Sequence, residues 1–214
     1  MMALNNYANL QNSIANWLAR DDLTSEIPDF ISLCEAEFNR ELRIRSMENN
    51  ETITIDAEQE ALPSGFLGVR SFFLNNNGKT KLTYSTPYNQ FDMRGSSRTG
   101  TPQAYSIEGT NFRFSPTPDT TYTANLVYYK AFDSLSDSTT TNFILTNHPA
   151  VYLYGSLYHA SNFIRGIAPE TVAQWQQLFV TGINQIREMD EKEKHNGSPL
   201  IQRSGININN FDNI

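Results

Sequence analysis

Apolar residues recur at three- and four-residue spacing near the start of the chain. Tyr7, Leu10, Ile14, Trp17 and Leu18 form one stripe, which predicts an amphipathic helix from Asn6 to about Ala19. A second stripe, Ile27, Phe30, Ile31, Cys34, Phe38 and Leu42, predicts a helix that opens at Pro28 and ends near Arg45. The fixed φ of proline suits a first turn, and Asp29 sits at the positive end of the helix dipole. The short connection suggests that the two helices form an antiparallel pair.

From Glu51 the period changes to two. Thr52, Ile53, Thr54 and Ile55 alternate and β-branched residues dominate, which opens a β region. Val69 to Leu74 and Lys81 to Tyr84 flank Asn76-Asn77-Gly78, a pattern that supplies the positive φ values of a tight hairpin. Gln103 to Glu108 and Asn111 to Ser115 flank Gly109-Thr110, and Pro116-Thr117-Pro118-Asp119 turns the chain into a strand from Thr121 to Ala131. The expectation is an antiparallel meander of about five or six strands.

The helical period returns after the polar stretch Asp133 to Thr141. Asn147 is the expected N-cap of a helix carrying Pro149 in its first turn and Val151, Tyr154, Leu157, Tyr158 and Ser161 along one face, stopping at Gly166. A last helix begins at Pro169, with Val172, Trp175, Phe179, Ile183, Ile186 and Met189 as its stripe and Glu188 to Lys194 as a solvated, mixed-charge end. The pattern reads as α+β. N-terminal helices (1–47) and two longer C-terminal helices (135–195) form a bundle, an antiparallel β meander or sheet (48–134) is inserted between them, and an extended C-terminal segment (196–214) follows.

Charge sharpens this division. The chain of 214 residues has 16 Lys and Arg against 23 Asp and Glu, a formal −7. Residues 1–60 carry −8, residues 61–107 carry +4 and residues 108–214 carry −3. A net acidic chain is poorly suited to wrapping nucleic acid or adhering to anionic lipid through charge. The negative mean hydropathy comes mainly from Asn, Ser, Thr and Gln, since charged residues are only 18%. Such a neutral-polar surface suits contact with other proteins. The lone cysteine, Cys34, leaves no internal disulfide, and no window approaches the roughly 18 apolar residues of a membrane span. A soluble protein made in the cytoplasm is expected.

No catalytic template is met. His148, His159 and His195 lack the spacing of a paired zinc site, and Gly65 and Gly68 do not open a phosphate-binding helix. Asp56, Glu58 and Glu60 alternate as a strand end would, which places carboxylates on one face; a solvated strand edge is the simpler reading. Cys34 lies within an apolar stripe as a small core residue. No enzyme activity, cofactor or metal is expected. Two features invite binding. Arg94 and Arg98 flank a Gly/Ser-rich loop that either contacts an acidic surface or phosphates or simply joins strands. Tyr152, Tyr154, Tyr158, Phe163, Trp175 and Phe179 are dense enough to serve both a core and a subunit interface.

Several segments taken together resemble the head-to-tail adaptor proteins of short-tailed bacteriophages, also called tail tubular protein A or neck adaptors. They are Ile27-Pro28-Asp29-Phe30-Ile31, Leu62-Pro63-Ser64-Gly65-Phe66-Leu67-Gly68-Val69-Arg70, Thr101-Pro102-Gln103-Ala104-Tyr105, Ser115-Pro116-Thr117-Pro118-Asp119, and Thr141-Asn142-Phe143-Ile144-Leu145 running through His148-Pro149-Ala150-Val151-Tyr152-Leu153-Tyr154. They keep that family's order from about residue 7 to 203. The resemblance implies a structural virion protein of the tail or neck, assembled in the host cytoplasm as a ring, typically a dodecamer. Such a ring lies between the portal and the tail nozzle or fibres, and DNA passes through its lumen during ejection. It further implies a C-terminal arm that docks on the portal, beginning here at Pro199, Leu200, Ile201, Gln202 and Arg203, while Arg94 and Arg98 face the nozzle, a fibre or a neighbouring subunit. Two other readings stand beside it: a tail or neck component that binds fibres without touching the portal, and a small β module that binds carbohydrate or nucleic acid.

Overall fold

The computed structural model describes residues 4–76, 78–89 and 99–195. Helix α1 (Tyr7–Leu18) starts where Asn6 leaves the helical conformation and accepts the Asn9 amide on its side-chain oxygen at 2.8 Å. Tyr7, Leu10 and Ile14 are buried as the stripe requires. Trp17 is not: Leu18 continues the packed row, and the indole lies on the flank, 52% exposed and edge-on to Tyr154.

Helix α2 (Ile27–Glu41) buries Ile27, Phe30, Ile31, Cys34 and Phe38, with Leu42 buried just beyond its end. It ends before Arg45 because Leu42 turns extended, and a single 3-10 turn, Arg45–Met47, leads into the sheets. Helix α3 (Phe143–Asn147) is short and is capped by Asn142, whose side chain accepts the Leu145 amide at 3.0 Å. Asn147 is therefore the last residue of α3 and not the cap of the next helix. That place falls to His148, ahead of α4 (Pro149–Ser161), which stops before Gly166. Helix α5 (Pro169–His195) follows.

Helix α4 is the centre of the bundle. Val151, Tyr152, Leu153, Gly155, Ser156, Leu157 and Ala160 are all buried, more than one face of a helix, because α1, α2, α3 and α5 all pack on it. Helices α1 and α2 touch each other, but each leans more on α4 than on its sequence neighbour. Two glycines permit the close approach of α4 and α5. A Cβ on Gly155 would stand 2.6 Å from the Phe179 ring and press on the Cys34 sulfur, and one on Gly182 would stand 2.6 Å from Val151.

The inserted strands are β1 (Glu48–Ile55), β2 (Gln59–Ala61), β3 (Phe66–Leu74), β4 (Thr80–Lys81), β5 (Thr83–Tyr84), β6 (Ala104–Glu108), β7 (Asn111–Ser115) and β8 (Tyr122–Lys130). They do not form one meander. The first sheet runs β1-β8-β3-β4 and the second β2-β7-β6-β5, with β5 parallel to β6 and the other pairings antiparallel. The chain passes from the first sheet to the second at the corner 56–58 and at Leu82, and returns at residues 62–65 and 116–121. Both expected hairpins are present: Leu74 pairs Thr80 in the first, whose described left-handed residue is Lys79 with a φ of 47°, and Glu108 pairs Asn111 across Gly109, whose φ of 62° is left-handed. The sheets face each other across a second core, in which Phe72 meets Tyr105 and Phe112 with ring centroids 5.2 Å apart.

Candidate docking surface

Residues on both sides of the junction between helices and sheets build a connected polar network. The chain crosses it twice, through the turn Arg45–Met47 and through residues 131–142 between β8 and α3. The second crossing is strapped to the bundle at successive points. Phe132 N donates to Asn39 Oδ1 at 2.9 Å, Leu135 N to Glu35 Oε1 at 2.8 Å, and Tyr7 N to Thr140 O at 2.7 Å. Asn142, besides capping α3, donates its amide to Asp133 O and to the Tyr152 hydroxyl, which in turn donates to Glu35 Oε1 at 3.2 Å. Glu35 is buried, and burial pushes its carboxyl above the ordinary value against the bonds from Leu135, Ser134 and Tyr152. Burial likewise raises the Tyr152 hydroxyl, helped by the Glu35 charge.

The first crossing is fixed by α5. Arg45 N donates to Asp190 Oδ1 at 2.9 Å, Lys194 Nζ lies 2.8 Å from Asp190 Oδ2, and the Arg45 guanidinium pairs with Glu193. Burial acts to raise the Asp190 carboxyl, but the Lys194 ammonium, the Arg45 amide and the two cationic charges outweigh it and hold the group below its ordinary value. The end of α5 is thus not a wholly solvated run of charges; Asp190 faces inward and joins the helix to the crossing. One turn earlier, Arg187 donates to the Glu41 carbonyl at 2.6 Å and pairs with its carboxylate at 2.7 Å, satisfying a free carbonyl at the end of α2.

Beside these fastenings lies a groove of about 340 Å³. Ile44, Ile186, Phe143 and Met189 give it an apolar floor, and Arg45, Ser46, His148, Asp190 and Glu193 rim it. Burial lowers the His148 imidazole below its ordinary value. A second depression of about 260 Å³ shares Ser46 and Phe143 with the first and continues past Glu48, Lys130 and Asp133. Phe143 stands between the two, stacked on Phe132 and 38% exposed, and Met189 is 50% exposed.

The residues singled out in the sequence fare differently. Arg94 and Arg98, and Pro199, Leu200, Ile201, Gln202 and Arg203, lie outside the described residues. Asp56, Glu58 and Glu60 do not share a strand face. Asp56 and Glu58 lie in the corner between β1 and β2 and Glu60 in β2 itself, opposite Phe112; the Glu60 carboxylate accepts the Asp56 and Ala57 amides, and Glu58 pairs with Arg113. Cys34 is a buried thiol raised by burial and by the charges of Glu37 and Glu35. His159 pairs with Glu37 at 3.1 Å, on α4 and apart from His148 in the groove. Tyr152 and Phe179 are core residues that meet Phe38, while Phe163 is exposed beside Phe30. Glu35 and Asp190 escape a reading by periodicity because an acid in a helix counts as solvent-facing; the one signal for Glu35 is its place directly after Cys34, at the edge of the apolar stripe.

Among the described residues no group of three His, Cys, Asp or Glu side chains is placed to hold a metal ion, and no helix is long and apolar enough to cross a membrane. Buried acids, a capping asparagine and a tyrosine hydroxyl serve to hold a β unit against a helical bundle, and the surface left open beside them is an apolar groove. A fastened joint with an apolar groove beside it is suited to binding other proteins. Residues 5–203 match the SU10 adaptor protein family, and the chain belongs to that family of phage head-to-tail adaptors. It is a structural adaptor and a virion component that assembles with other phage head and tail proteins. No curated protein matches the chain.

Proposed function

We propose that copies of this chain form a ring, a dodecamer in a podovirus-like virion, that joins the portal to the tail nozzle or fibres and encloses part of the DNA channel. The observation that carries the reading is the family match across residues 5–203, which takes in the helices and both sheets and runs eight residues past α5. Fixed crossings between bundle and sheets support it, since a connector that transmits load between two partners needs its parts held in one relative orientation. Acidity supports it as well: at a formal −7 per chain, a ring repels DNA and lets it slide through without adhering.

In this reading residues 196–214 reach the portal through Pro199, Leu200, Ile201, Gln202 and Arg203, and Arg94 and Arg98 contact the nozzle, a fibre or the adjacent subunit. Assembly takes place in the host cytoplasm. The test is a chain ending at His195. It should melt cooperatively like the parent and fail to bind portal, as read by electron microscopy of the mixture, which also counts the subunits. Normal attachment of the shortened chain overturns the role given to the arm.

A further inference from the structure

The first sheet ends in two open edges of opposite charge. Strand β1 is an edge strand of eight residues, its first five exposed, and it pairs with β8 without a bulge. Long, regular edges are commonly blunted by Pro, Lys or a bulge, and β1 has none of these. Its backbone orientation follows from its neighbour. Asn75 N donates to Thr123 O at 2.8 Å, so Thr123 turns to β3, and alternation turns Ala124 and Leu126 to their β1 partners, Ile53 and Glu51. Asn50, Thr52 and Thr54 therefore present their N–H and C=O groups outward. At the opposite end of the sheet, β4 continues through Leu82 into β5, and the residues of both short strands are exposed. Leu82 N donates to Phe72 O at 2.9 Å, which turns the Lys81 backbone outward. Residues 48–55 hold Glu48 and Glu51 and no cation, whereas residues 79–84 hold Lys79 and Lys81 and no acid.

We propose that β1 of one subunit pairs with the β4 edge of a second copy, so that the first sheets of neighbouring subunits run on into one another. The inference rests on the ring reading and names surfaces that build the ring. A second copy fits β1 because its β4 edge carries the opposite charge, whereas β1 against β1 sets acid beside acid. Direction fits as well. All pairings in this sheet are antiparallel and its strands number four, so β4 runs opposite to the next copy's β1 when the copies share one orientation. Thr52, Asn125, Phe73 and Lys81 form one row across the sheet, which places the side chains of Thr52 and Lys81 on the same face. The outward backbones at those two positions can then pair while the faces of the two sheets stay matched. A contact between two unlike edges is heterologous, the kind from which rings are closed.

The experiment uses the full chain and reads self-association by sedimentation velocity at low salt, up to submillimolar protein. Lys79→Glu with Lys81→Glu makes both edges acidic, and Asn50→Lys with Glu51→Lys makes both basic. Each variant alone should associate roughly tenfold more weakly than the parent. An equimolar mixture should recover the parental association, because each edge then meets its complement. Thr52→Pro removes an outward amide and no bond to β8, so it should weaken association by a similar factor while the cooperative melt is kept. Parental association by either charge variant alone overturns the proposal. So does a mixture of two folded variants that fails to recover, or a parent that stays monomeric. Rings on the portal are counted separately by electron microscopy: rings that ignore these substitutions sink the edge contact and keep the ring reading, and edge association without a ring does the reverse.

Discussion

Glu35 shows how one buried acid governs a joint. Its Oε1 accepts both the Leu135 amide and the Tyr152 hydroxyl, and burial holds its carboxyl above the ordinary 4.5. The folded chain therefore binds this proton more tightly than the unfolded chain does, and the stability owed to Glu35 falls as pH rises from about 4.5 through the raised value. Glu35→Gln keeps an acceptor oxygen and removes the charge. It should melt at or above the parent temperature at neutral pH, the two curves converging below about pH 4. Glu35→Ala takes the acceptor from the Leu135 amide and the Tyr152 hydroxyl, besides the exposed Ser134, and should cost on the order of 2–4 kcal/mol in urea unfolding. Gly155 makes the complementary point about volume. Gly155→Ala forces a methyl against Phe179 and Cys34 and should cost about 1–3 kcal/mol, with part recovered by adding Cys34→Ala, a coupling that a double-mutant cycle measures.

At the scale of elements, the end of α5 and the residues before α3 do more than their sequence patterns suggest. Asp190 holds the first crossing and sits below its ordinary value, so its contribution is present above about 3.8 and lost as pH falls through the folded value, the opposite sense to Glu35. Asp190→Asn should lower stability by about 1–2 kcal/mol at neutral pH and flatten the acid limb of the melting profile. Asn142→Ala removes a cap together with the bonds to Asp133 and Tyr152, and should cost at least the ~1 kcal/mol of a lost N-cap, with amide exchange rising in residues 131–142. Helix α2 was legible because five of its apolar residues, Ile27, Phe30, Ile31, Cys34 and Phe38, lie on one buried side, with only Leu33 of the large ones left outside, and the β6–β7 hairpin because Gly109 marks its turn. The division into two sheets was not, since β2, β4 and β5 are two or three residues long, too short to carry a period. The extent of α4's burial was also hidden: a helix surrounded by four others has no polar face to reveal its orientation.

For the whole molecule, order of segments carried more than any one motif did. The resemblance rested on turns and helix starts whose sequence spans both cores, and the family match covers the same stretch. The groove was illegible for a plain reason: Ile44, Phe143 and Met189 come from three distant parts of the chain and meet only after folding. The pairing of β1 with β8 has a different outcome. Glu48 faces Tyr129 in the ladder, so the β unit leaves and rejoins the bundle at two Cα atoms about 5 Å apart. Replacing residues 49–128 by an Asn-Gly turn should leave a helical protein with a cooperative melt by circular dichroism, at a lower temperature because Leu67 no longer packs on the bundle. A unit that enters and exits through one narrow stem is an interchangeable cassette. Recombination at that stem can exchange the β unit while the bundle is inherited unchanged.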